Sequence, residues 1–392
     1  MNFRHLIPIF DPSVKQWAFE ARLLRWLTFL WLLIGLVTLF SASYVVADQD
    51  FGDGLHYFKT QILWICIGLV GFNILVHSLL RHILGITDWL FLLILGLVLA
   101  TLIPGLGTTV SGATRWLAIG SVGIQPSELI KPLLVLQSAR IFGGWHRLTT
   151  ATRASWLGIF LVTLVSILLQ PNLSTAALCG LVIWLMALSS GLPYRYLIST
   201  ALGGLFLATI SISLQDYQRR RLTSFLDPWA YANQDSYQLI QSLIAIGSGG
   251  VWGTGFGLSQ QKLFYLPIQY TDFIFAVFAE EFGLIGSVLL LMLLAAYATL
   301  GLRVAIKCNH PVHQLIAIGA VVLLVGQALL NIGVATGALP TTGLPFPMLS
   351  YGGSSMISSL LAAGLLIRVA RESSGAEVIP FQTRQLTPGK LR

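Results

Sequence analysis

A bundle of about ten transmembrane helices, with a large outer loop between the seventh and eighth, is the all-α polytopic fold that this sequence predicts. Hydrophobic residues make up 55% of the 392 and charged residues only 10%, with a mean hydropathy of +0.80. That leaves far too much apolar surface for a soluble fold. Apolar runs of roughly 18 to 22 residues, long enough to cross a bilayer core at about 1.5 Å per residue, recur along the chain. Basic residues divide unevenly between alternate connecting segments, as the positive-inside rule requires.

The runs place spans at 24–46, 61–80, 86–104, 126–142, 155–170, 173–191, 196–214, 271–300, 314–336 and 353–370. The first follows a polar leader, residues 1–21, that carries Asp11, Lys15 and Glu20 and shows no small-residue cleavage site. It therefore reads as an anchor and not as a removable signal. With the N-terminus inside, 16 of the 23 Lys and Arg fall on cytoplasmic segments, including the polar tail at 372–392. The expectation is one integral domain over 1–392 in the cytoplasmic (inner) membrane, with both termini cytoplasmic. Seven basic residues break the rule: Lys59, Arg115, Lys131, Arg219, Arg220, Arg221 and Lys262. These are the first functional suspects. The net charge of +8 reflects topology, since the basic residues are dispersed and form no aromatic-interleaved face for nucleic acid.

Cys66, Cys179 and Cys308 lie in separate segments without CxxC spacing, and the seven histidines are scattered. Neither a disulfide framework nor a metal site is indicated. The loops are short except for two outer ones, near 105–125 and 215–270.

The first of these leads into Gln125-Pro-Ser-Glu128, where Pro126 suits a first helical position and Glu128 falls in the first turn, near the positive end of the helix dipole. Glu128 and Lys131 share a face three residues apart. Isolated charges there would cost about 2.5 to 3.5 kcal/mol each at the membrane centre, so a mutual pair is expected, either structural or lining a substrate site. Gln170-Pro-Asn-Leu-Ser-Thr175 reads most simply as a tight turn. In the long loop, Asp216-Tyr-Gln-Arg-Arg-Arg221 presents three cations suited to a diphosphate or an anionic headgroup, with ordinary anionic lipid as the alternative.

An amphipathic stretch begins at Asn233 and runs into the glycine-rich segment 246–257, whose amides could approach a ligand, although it lacks the P-loop pattern. Asp272 and, about 12 Å deeper if helical, Glu280 and Glu281 follow; Lys131, Lys262 and Arg115 are the cations available to them. The last outer loop is proline-rich and ends in Ser350-Tyr-Gly-Gly-Ser-Ser355, where free amides of Gly352 to Ser355 at a helix N-terminus would make an anion cup, with a rigid transporter plug as the equal alternative.

Together the motifs Arg115-Trp116 with Gln125-Pro-Ser-Glu128, Gln170-Pro171 with Leu173 and Thr175, Tyr237-Gln238 through Gly250, Tyr265-Leu-Pro267 with Thr271-Asp-Phe-Ile-Phe275, and Pro345 with 350–355 resemble the SEDS proteins (shape, elongation, division and sporulation), typified by FtsW and RodA. Ser41-Ala-Ser43 looks more like the FtsW branch. The resemblance covers nearly the whole chain. It implies a peptidoglycan glycosyltransferase that polymerises lipid II on the outer face, releases undecaprenyl diphosphate, and works with a class B penicillin-binding protein and other divisome or elongasome membrane proteins. A divalent cation is the one cofactor left open.

Such a reaction needs a base for the acceptor sugar's 4-hydroxyl and cations for the departing diphosphate. The resemblance places a catalytic aspartate where this chain has Tyr231, a poor base at a reference pKa near 10. Asp235 and Asp227 are the acids expected to stand in for it. Arg115, Gln125, Glu128, Lys131, the three arginines 219 to 221, Lys262, Asp272, Glu280, Glu281, Ser350, Gly352, Gly353 and Ser354 are the expected substrate contacts. Two other classes stay open: a lipid-precursor flippase, which needs no catalytic acid, and a scaffold that activates the transpeptidase.

Overall fold

The computed structural model describes residues 12–110, 113–120, 122–232 and 236–375. Its helices are α1 (Phe19–Phe51), α2 (His56–His77), α3 (Leu80–Ala100), α4 (Pro126–Gly143), α5 (Thr150–Leu169), α6 (Leu173–Ser189), α7 (Tyr194–Leu214), α8 (Asp216–Leu226), α9 (Tyr237–Gly249), α10 (Ile274–Lys307), α11 (Pro311–Val321), α12 (Gln327–Ala335) and α13 (Gly353–Gly375). In lipid every backbone polar group must be satisfied within the segment, so apolar runs of this length fold as helix. Each of the ten expected spans overlaps a helix, with α11 and α12 forming one span through a π-helical turn at Val322–Gly326. Among the described residues eight segments are long and apolar enough to cross a membrane. The other two are the 17-residue α6 and α4, which carries Glu128, Lys131 and Arg140. Both pack inside the bundle, α4 against α3, α11 and α13, and α6 against α4 and α5.

Local chemistry sets the helix ends. Pro126 occupies the start of α4, where a missing N–H costs nothing. Asn172, in the turn read at Gln170–Thr175, caps α6 by accepting from the Thr175 N–H at 3.3 Å. α1 stops at Gly52, whose left-handed φ of 66° lets its N–H reach back to Asp48.

The last helix is the hub. Over a membrane-length window 83% of α13 is buried, against 6% of α7, which buries only Leu197 and Ser211. Without a hydrophobic force between helices in lipid, close approach depends on small residues and shape. Gly35 of α1 lies against the Met348 carbonyl so tightly that a Cβ there would sit 1.9 Å from its oxygen. Nearby, the buried Trp31 meets Tyr297 and Phe346 edge-on at 5.5 and 6.3 Å.

Outside the bundle the structure departs from simple loops. Segment 107–124 forms a three-stranded antiparallel sheet, β1 (Gly107–Val110), β2 (Ala113–Ile119) and β3 (Val122–Ile124), in that spatial order. Thr108 pairs with Trp116, and Leu117 with Ile124. The expected amphipathic stretch folds as α9, which packs on α10 and α12 and donates from Ser242 to the Ala335 carbonyl at 2.7 Å.

Candidate active site

Three residues, two in the loop ahead of α13 and one on α12, lace segment 270–273 to the bundle by its backbone. Ser350 donates to the Thr271 carbonyl at 2.6 Å, the Tyr351 N–H to the Tyr270 carbonyl at 2.9 Å, and Asn331 Nδ2 to the Asp272 carbonyl at 2.8 Å. With its main chain fixed in this way, Asp272 meets Arg221 at Gly343. A Cβ at that glycine would lie 3.5 Å from Asp272 Oδ2 and 3.9 Å from Arg221 Nη1, so both groups border Gly343, whose φ of 72° is the left-handed backbone that favours glycine. Arg221 also donates to the Thr341 carbonyl at 3.2 Å. Arg115, carried on β2, is the second cation acting on Asp272, and Glu128 is a carboxylate within electrostatic reach. All three of Asp272, Arg115 and Arg221 are half-buried. Burial pushes the Asp272 carboxyl above its ordinary value, Arg221 and Arg115 pull it down, Glu128 pushes it up, and the net direction is up.

Beside this trio, the pair expected on α4 is present. Lys131 Nζ lies 2.7 Å from Glu128 Oε2, with both residues 2% exposed. Lys131 also donates to Gln327 Oε1 at 3.0 Å, and Gln327 Nε2 donates to the Pro345 carbonyl at 2.7 Å. Buried ionic groups of this kind persist in membrane bundles where they line a path or a site.

Other expected contacts sit elsewhere. Lys262 does not reach Glu280; it pairs with Glu281 at 2.7 Å and donates to Ser41 at 2.7 Å, and Ser41 donates in turn to Glu281. Glu280 instead caps the loop, accepting from Ser259 and from the N–H groups of Gln260 at 2.9 Å and Gln261 at 3.4 Å. These residues fasten the re-entering segment to α1 and α10. Ser41, Ser259 and Lys262 also line a groove of about 390 Å³ whose wall includes no member of the Asp272 group.

The glycine run is likewise occupied by protein. Thr254 and Gly255 donate to the carbonyls of Glu280 and Glu281 at 2.9 and 3.1 Å, and Leu284 and Ile285 donate back to Gly250 and Val251. The amides expected to approach a ligand grip a break in α10 at Gly283 instead.

The three consecutive arginines separate. Arg219 is exposed and pairs with Asp216 at 2.5 Å, Arg220 is exposed, and Arg221 alone reaches Asp272. The expected anion cup is partly filled: Gln61 accepts from the Gly352 N–H at 3.2 Å and donates to the Ser350 carbonyl at 3.2 Å, and Gly353 packs under Trp64. Ser354 Oγ accepts from the Gln125 N–H at 2.9 Å, joining α13 to the start of α4. Asp227 is exposed and accepts from the Ala230 N–H at 3.3 Å, outside the Asp272 group; Asp235 lies outside the described residues.

Gln327 and Asn331 were missed at the sequence level, although two amides one turn apart in an apolar span are a signal in themselves. Among the described residues no three His, Cys, Asp or Glu side chains gather as a metal-ligand set.

A model of the cell cycle protein family FtsW/RodA/SpoVE matches residues 21–375. A protein of Synechocystis sp. described as a probable peptidoglycan glycosyltransferase FtsW is 58% identical over 381 residues, which is 97% of each chain. Stage V sporulation protein E of Bacillus subtilis is 35% identical over 88% of this chain and 96% of its own. Among solved structures, one of a peptidoglycan synthase complex that coordinates polymerisation and crosslinking superposes with a TM-score of 0.72 at 27% identity, covering 89% of this chain and 97% of the other. Thermus thermophilus RodA gives 0.65 at 28% identity, over 89% and 96%.

Proposed function

This chain belongs to the FtsW/RodA/SpoVE family of cell cycle proteins, and from that premise we propose that it is a peptidoglycan glycosyltransferase of the FtsW type with Asp272 as its general base. It polymerises lipid II on the outer face of the cytoplasmic membrane during septal wall synthesis, as a ten-span protein with both termini inside. A class B penicillin-binding protein cross-links the product. The observation that carries the base assignment is the fixed Asp272 backbone, which holds a half-buried carboxyl within electrostatic reach of Arg221, Arg115 and Glu128 of the Glu128–Lys131 pair.

The chemistry follows from this arrangement. Asp272 takes the proton of the acceptor sugar's 4-hydroxyl, the freed oxygen attacks the donor's anomeric carbon, and the bond from that carbon to the lipid diphosphate breaks. Arg221 and Arg115 neutralise the diphosphate as it leaves. A carboxyl raised toward the working pH is the stronger base, which gives the upward shift at Asp272 a use. Rate requires the ionised form, so activity falls as pH drops through that raised value, and the acid limb lies above the ordinary aspartate value of about 3.9.

The test is polymerisation of lipid II by the purified protein with its transpeptidase, comparing wild type with Asp272→Asn, Asp227→Asn and Asp235→Asn. Asp272→Asn should lose about 10²- to 10⁴-fold in rate, with the other two staying near wild type. An active Asp272→Asn and a dead Asp235→Asn would move the base to the outer loop. A wild type that makes no polymer with its partner bound would turn the reading to a flippase or a scaffold.

A further inference from the structure

The π-helical turn at Val322–Gly326 stands immediately before Gln327, and Asn331 lies one helical turn further along α12. Single π turns shift the face a helix presents and often mark functional sites. Here the face so presented carries two amides that are 2% and 1% exposed. Gln327 joins Lys131 to the Pro345 carbonyl, while Asn331 Nδ2 donates to both the Asp272 carbonyl at 2.8 Å and the Leu344 carbonyl at 2.9 Å. Asn331 Oδ1 is buried and accepts nothing. A buried amide that leaves its oxygen unsatisfied gives up stability, while both N–H groups go to the segment bearing Asp272 and to the loop bearing Gly343.

We propose that Asn331 is a positioning residue for the polymerisation reaction. By holding the peptides of Asp272 and Leu344 at one nitrogen, it sets the gap at Gly343 in which the Asp272 carboxyl faces Arg221, and the π turn aims it there. The inference rests on the assignment of Asp272 as base and adds the element that holds it. Its reach is specific, since Gln327 performs the matching task for Lys131 and the two halves of the site are thereby referred to one helix.

Asn331→Asp keeps the shape and removes the donor; Asn331→Ser keeps a single shorter donor. Lipid II polymerisation is measured for both across pH, with Asp272→Asn in parallel and thermal melting as a fold check. A displacement of about 1 Å at a reacting group can cost roughly 10²-fold. Accordingly kcat should drop by about 30- to 100-fold in Asn331→Asp and less in Asn331→Ser, with KM for lipid II within twofold. The groups facing Asp272 are Arg221, Arg115 and Glu128, and burial is the largest influence on it. A released carboxyl becomes better solvated, so the acid limb should move to lower pH. Unchanged kcat and limb in either folded variant would overturn the proposal. So would a loss of kcat that tracks melting temperature with the limb in place, and so would failure of both variants to fold, since each marks Asn331 as structural. If Asp272→Asn itself stays active, it is the base assignment that fails.

Discussion

Asp272 and Glu281 lie on the same stretch of chain, yet their surroundings differ: Arg221, Arg115 and Glu128 act on the first, and Lys262 and Ser41 hold the second. Glu281 is held through one oxygen, Oε1, by both Lys262 and Ser41, which ties the re-entering segment to α1 and α10. Its value is mechanical. Removing one partner of a buried pair leaves an uncompensated charge, so Lys262→Met should cost about 3–5 kcal/mol. Replacing both, as Lys262→Met with Glu281→Gln, should recover much of that, and thermal melting of the two variants in detergent reads the difference. The sequence could mark all of these residues as ionisable groups in an apolar chain, but not which cation would meet which anion. Glu128 and Lys131 were legible because three residues along one helix fix their neighbourhood. Lys262 meets Ser41 across 221 positions, and no periodicity carries that information. The sequence marks Asp272 only as a substrate contact, because the lacing that distinguishes it from Asp227 comes from Ser350, Tyr351 and Asn331, 59 or more positions along the chain.

At the level of elements, the spans were readable because hydrocarbon permits one backbone solution, and the ten predicted segments each overlap a helix. What water touches was harder. The sheet at 107–124 and the helix α8 fall in stretches that hydropathy can describe only as loop, and α9 shows only as an amphipathic stretch. The glycine run shows why composition alone misleads. Gly283 adopts a φ of 65°, and a Cβ on it would sit 2.3 Å from the Gly253 nitrogen, so the glycines exist for chain-to-chain contact. Gly283→Ala should therefore destabilise by about 1–3 kcal/mol. Gly203, on the sparsely packed α7 with nothing within 4 Å of an added Cβ, should accept Ala with no loss or a small gain of up to ~1 kcal/mol. Paired melting curves distinguish a contact glycine from an idle one.

Taken whole, the molecule is built around its last helix. α13 packs on α2, α4 and α11 as well as α1, and the outer site is closed by the turn just ahead of it. A chain truncated after Thr341 should insert its earlier spans and still make no polymer, because segment 270–273 then lacks both Ser350 and the Tyr351 N–H. Lipid II polymerisation by the truncated protein, purified with its transpeptidase, checks this, and polymer from it would show that the final helix is dispensable to the site.

The knot at Ser350 joins Gln61, from the second helix, to Thr271 and to its own loop. Chains are made from the N-terminus at roughly 5–20 residues per second, so the partners of this knot leave the ribosome many seconds apart. Asp272 is synthesised well before anything exists to hold it. On the assignment of Asp272 as base proposed above, catalytic competence and completed biogenesis arrive together, and an interrupted or half-inserted copy is expected to make no polymer in a membrane where an untimely polymerase would build wall in the wrong place.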